Sequence, residues 1–154
     1  MTELERISDQ LQRAYSGPAW HGPSVLEALE GVTQEVASRR PIDGAHTIWE
    51  LVHHIGAWAE IPRRRILGET TFEITNEMNF PPMREATESA WRLSLEGLAE
   101  SQNKLLAVIR DLSADRLDQP VMKDGPTIYV LLHGVAQHHI YHAGQIMLLK
   151  KQFG

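Results

Sequence analysis

Apolar positions along this chain recur every three or four residues and hardly ever alternate, so the pattern predicts helices and no strand. The first element runs from Thr2 to Tyr15. It breaks at Ser16, Gly17 and Pro18, a strong turn signal, and the pattern resumes from Ser24 to Glu30. A short helix covers Thr33 to Ser38, followed by Pro41 and Gly44 in a loop. The second long element starts behind Thr47, with Glu50 placed to complete a capping box. It runs to about Leu67 and is closed by Gly68, with Pro62 as the point for a kink. A loop from Glu69 to Met83 follows, with Pro81 and Pro82 near its end. The third element spans Arg84 to Arg110. The stretch Asp111 to Pro126 is turn-rich with room for one helical turn, and the last element covers Thr127 to Lys151.

The expected fold class is therefore all-α: a four-helix bundle with an interrupted first helix and a long connection between helices two and three, residues 1–154 forming one domain. The short link between elements one and two predicts antiparallel neighbours, and the long link that follows leaves room for a crossover.

Composition narrows the chemistry. The chain has 154 residues and no cysteine, which excludes a disulfide framework, a thiolate zinc site and a cysteine nucleophile. The net charge is -5 with both signs mixed along the sequence. The only dense basic run, Arg63, Arg64 and Arg65, falls late in a helix, where cations complement the helix dipole. Neither a nucleic-acid partner nor a membrane partner is expected. The polar start, from Met1 to Arg6, is unlike a secretory leader, and the expected location is cytoplasmic.

Eight histidines are present, and six fall in two segments. On the second helix the apolar stripe is Ile48, Leu51, Val52, Ile55, Trp58 and Ala59. At about 100° per residue, His54 lies on the edge of that stripe and His53 points nearly the opposite way, towards solvent. On the last helix the stripe is Leu131, Leu132, Val135, Ile146 and Leu149. His142 sits in its middle, His138 and His139 flank it, and His133 points away. Residues three or four apart on a helix face each other across roughly 5–6 Å, close enough to share an ion. The pairs His138/His142 and His139/His142 both satisfy this, and periodicity leaves both open. His54 is the inward histidine of the other cluster, so it supplies the third ligand. Three neutral ligands leave coordination positions free, as in a catalytic rather than a structural site. A lone histidine on an apolar face is more often a hydrogen-bonded core residue than a ligand. Three together favour a metal, because burying several imidazoles without a shared purpose costs desolvation free energy.

Other residues carry weaker signals. Gln145 shares a face with His138 and is a candidate to fix an imidazole, with a solvated glutamine as the equal alternative. Glu50 is accounted for by its capping box. At the helix break, Trp20 is expected in the core and His21 on a turn, although a pocket there would be lined by both. Trp49, Trp58, Trp91 and Tyr141 are expected to pack, and Met78 and Met83 flank the long loop.

These residues carry a resemblance. The segment from Thr47 to Ile55, with His53 and His54, resembles the second-helix motif of the DinB-like (damage-inducible) superfamily. The segment from His138 to Ile146 resembles its last-helix motif: a histidine, three residues, a histidine, then one residue before Gly144 and Gln145. Order, spacing and length fit over essentially the whole chain. The resemblance implies a four-helix bundle holding one divalent metal ion, zinc or nickel, on His54, His138 and His142, and so prefers His138 to His139. It further implies a homodimer. It also implies a metal-dependent hydrolase or a thiol-dependent transferase acting on a small molecule with glutathione, mycothiol or bacillithiol, or else a non-catalytic metal-binding or stress-related dimeric module. Two features depart from the pattern. Ala143 stands where relatives frequently carry arginine, removing any substrate contact that arginine makes. The interruption from Trp20 to Pro23 resembles only a subset of relatives.

Overall fold

Every α-helix of this protein begins behind a Thr or Ser whose hydroxyl accepts a backbone N–H of its first turn. The computed structural model describes residues 1–154 and contains seven such helices. They are α1 (Glu3–Ser16), α2 (Val25–Leu29), α3 (Gln34–Ser38), α4 (Ile48–Ile66), α5 (Asn76–Asn79), α6 (Glu88–Asp111) and α7 (Ile128–Lys150). Thr2, Ser24 and Thr47 each form a full capping box with the glutamate three residues on. There are no strands, only two isolated bridges. The expected all-helical architecture is present, with α1, α4, α6 and α7 as the four long members.

Three expectations need correction. The third long helix starts at Glu88, not Arg84, because Thr87 takes the cap. The loop after α4 carries the single turn α5, capped by Thr75, which no apolar period announced. The first and second long helices are not neighbours. α1 packs against α6 and α7, and α4 packs against the same two, so α1 and α4 stand on a diagonal. The segment with α2 and α3 crosses between them and lets the chain change sides. α4 and α6 run parallel: the Trp49 indole donates to Ser94, while Gly56, two turns on, faces Ser101. Parallel neighbours require the chain to travel back the length of a helix, which is what the long connection between them does. α4 continues through Pro62 without interruption.

Two apolar clusters fill the bundle. One gathers Trp49, Ile55, Trp91, Leu98 and Ile146, and the other Ile7, Leu11, Leu105, Ile109 and Leu132. Between them, on three helices at one level, lie His54, Gln102, His138, His139 and His142. This polar layer interrupts an otherwise continuous core, and burial favours pairing of its polar atoms, although Gln102 Nε2, His138 Nδ1 and His139 Nδ1 have no partner. At the α1 break, Gly17 adopts φ 77°, and a Cβ there would meet the Glu27 carboxylate at 2.7 Å, so the turn needs glycine on both counts. No helix is long and apolar enough to cross a membrane.

Candidate metal centre

α4 and α7 are antiparallel neighbours, and their facing stripes bring His54 opposite His138 and His142. His54 is 7% exposed and His142 is 6% exposed. The His138 Nε2 lies 2.9 Å from His54 Nε2 and 3.0 Å from His142 Nε2, so three ring nitrogens face one point. Their far sides explain the orientation. His54 Nδ1–H donates to the Asn79 carbonyl at 2.6 Å, and His142 Nδ1–H donates to Gln145 Oε1 at 2.6 Å. Those bonds fix the tautomers and leave both Nε2 lone pairs aimed inward. His138 Nδ1 is buried and has no partner.

Neutral imidazoles cannot satisfy this cluster alone. With protons committed on the far side of His54 and His142, His138 has at most one proton for two facing lone pairs. A cation at the common point resolves the conflict. Nitrogens bound about 2.1 Å from one ion at angles of roughly 90–110° stand about 3.0–3.4 Å apart. The two separations from His138 are close to that range, and all three nitrogens lie within 4.8 Å of one another, so the group could hold one divalent ion.

Electrostatics agree. Burial, reinforced by the neighbouring imidazoles, pushes His138 from 6.5 down to about 3. Burial also pushes His142 down to about 4, against the opposing pull of its bond to Gln145, and lowers His54. All three are held in the neutral, ligating form at neutral pH. A stability consequence follows. The unfolded chain takes up protons near 6.5 while the folded, metal-free protein resists until about 4 and below. The metal-free protein is expected to lose stability steadily as pH falls from about 6.5 to about 4. Melting temperatures across that window test this, and a flat profile contradicts it.

The loop after α4 closes one side. The Phe80 ring stacks on His54 at 3.9 Å and 5°, and its other contact, with His46, is at 3.8 Å. The Trp58 indole donates to the Asn79 side chain at 2.8 Å, tying α5 to α4. Sequence reasoning did not find Asn79 and Phe80, because an irregular loop has no period from which to read a direction.

The remaining candidates fall as follows. Gln145 holds the His142 ring. His139 is 0% exposed but points away from the other three, donating from Nε2 to Gln102 Oε1 on α6 at 2.8 Å. Burial lowers it to about 4 as well. His21 is exposed on the α1–α2 turn and takes no part in the cluster. Trp20 beside it is 103% exposed, contrary to the expected core position, because the turn carries it outward past the end of α1. Tyr141 is also exposed rather than packed. His53 is not a solvated residue: its Nδ1 donates to the Pro81 carbonyl at 2.8 Å, and its Nε2 lies 2.8 Å from Ser94 Oγ. α4 is covered on two sides, by α7 and by α6 with the returning loop, whereas a single apolar stripe implies one. His133 is half-buried against Tyr129, one turn earlier on the same helix, at 4.4 Å between rings. The basic run is engaged: Arg63 pairs with Glu60, and Arg64 pairs with Glu69 and lies over Phe72.

Among known proteins, the family model described as the DinB superfamily matches residues 6–146. No curated protein and no solved structure gives a match.

Proposed function

Because the chain belongs to the DinB superfamily, we propose that it is a divalent-metal protein in which His54, His138 and His142 hold one zinc or nickel ion, and that it acts on a small molecule by hydrolysis or by transfer of a low-molecular-weight thiol. The observation that carries this reading is the convergence of three Nε2 atoms with at most one proton between them. A bound ion of this kind lowers the pKa of water or a thiol and polarises a carbonyl. The chain's own groups do the rest. Asn79 and Gln145 hold two rings in the ligating tautomer, and Phe80 excludes water from one side. His54 and His138 form part of the wall of a cavity, which we take as the entry for a small molecule.

That cavity holds no carboxylate or amine to serve as a general base. The same observation supports a second reading, a metal-binding dimeric module without turnover. Elemental analysis of tag-free protein is the test. About one ion per chain is expected, and none in the variant combining His54→Ala, His138→Ala and His142→Ala. No ion after incubation with zinc or nickel overturns the proposal. Turnover of small esters, or of thiols with electrophiles, then separates enzyme from module.

We place a second copy of the chain against the outward stripe of α7. Gln137, Tyr141, Gly144 and Leu148 share that face and are exposed, and α7 carries no Asp, Glu, Lys or Arg before Lys150. Two such stripes meet without burying an unpaired charge. Light scattering is expected to give twice the chain mass, and a single-chain mass at all concentrations refutes the dimer.

A further inference from the structure

The cavity that opens beside the histidines has a chemistry of its own. It has a volume of about 440 Å³, and its wall is built mainly from Trp58, Pro62, Val130, Leu131 and Val135, with Gly134 at one side. That volume lies in the range of small-molecule sites. His54 and His138 form part of its wall, so whatever enters lies against two of the three histidines. No Asp, Glu, Lys or Arg lines it. Besides the two histidines, only Trp58 and Asn79 among the lining residues carry hydrogen-bonding side-chain groups, and the Trp58 indole spends its N–H on the Asn79 oxygen.

We infer that this cavity takes the uncharged, apolar body of a small molecule whose polar head lies at the three histidines. The inference rests on the metal reading above for the placing of the head and deepens it by naming the substrate class. Apolar surface entering such a wall is released from water. A carboxylate or ammonium on the body finds no counter-charge there and is strongly penalised. The ligand is therefore an alkyl or aryl compound with a single coordinating group. Among thiols it is a neutral one, not glutathione, whose two carboxylates need cations that this wall does not supply.

The test compares benzyl mercaptan with glutathione, which share a thiol head and differ in the charge of the body. Binding is followed by calorimetry on the zinc-loaded protein and on Gly134→Leu. Gly134 is the blocking position because a Cβ built there meets nothing within 4 Å, so a larger residue enters space rather than a neighbour. Leucine is also a better helix former than glycine, so the variant folds. Benzyl mercaptan is expected to bind about tenfold more tightly than glutathione, from burial of the ring. Gly134→Leu is expected to abolish that preference while holding the same zinc content. Glutathione binding as tightly as benzyl mercaptan, or a preference that survives Gly134→Leu, overturns the inference. Should the protein hold no zinc, the metal reading fails separately. Toluene binding to wild type but not to Gly134→Leu then still supports the apolar cavity, and binding to neither refutes it.

Discussion

His142→Ala loses stoichiometric zinc or nickel, whereas His53→Ala keeps it. The two histidines have similar sequence surroundings, each beside other histidines on a long helix, but their nitrogens face different partners. His142 Nε2 is one of three converging atoms, and removing it leaves two ligands and an unfilled space. His53 spends both nitrogens on Pro81 and Ser94 and offers none to an ion. Gln145→Leu falls between them. It leaves the ligands in place but frees the His142 ring, and removing such an outer partner typically weakens metal binding by about 10–100-fold. The expected order of affinity is wild type and His53→Ala, then Gln145→Leu, then His142→Ala with no measurable site. Competition against a chromophoric chelator gives all four values. Retention of metal by His142→Ala at wild-type affinity removes it from the site.

Trp49→Ala lowers the stability of the protein by about 3–5 kcal/mol, whereas Trp20→Ala changes it by about 0.5 kcal/mol or less. Trp49 is 1% exposed, packs edge-on against Trp91 at 5.1 Å, and donates to Ser94 Oγ at 2.9 Å. Its removal leaves a cavity in the apolar cluster and takes one donor from the Ser94 hydroxyl, which keeps its bonds to His53 and to the Ala90 carbonyl. The expected loss is a large share of the roughly 5–15 kcal/mol available to a domain. Trp20 has no packing to lose. Urea unfolding measures both, and a Trp49→Ala loss under about 1 kcal/mol contradicts the assigned packing.

The metal-free stability profile connects these two results. The polar layer costs the fold desolvation at every pH and charge repulsion in acid. His139 shows how the fold limits that cost, by giving a buried ring a partner on α6. Gln102 was not foreseen in that role. A glutamine at an inward position of a helix gives no signal of which neighbouring helix it will meet.

Sequence alone determined the four long helices of this protein, though not the start of the third or the short α5. Thr47 with Glu50, Gly17 before Pro18, and the period of apolar residues act within a few positions of one another, and local hydrogen bonding and local sterics decide them. The inward direction of His54 and His142 was legible for the same reason, since a helix fixes direction over one or two turns. The choice of His138 over His139 was not, because both flank the apolar stripe. It came from resemblance, and the structure separates them by what each ring meets: His54 for one, Gln102 for the other. Tertiary structure alone decided that α1 and α4 stand on a diagonal, that His53 is pinned rather than solvated, and that Phe80 and Asn79 close one side of the cluster. Each of these depends on which surface a second element covers. A helix's own pattern records that a face is buried but not by what, so contacts between residues far apart in the chain exist only once the bundle has formed.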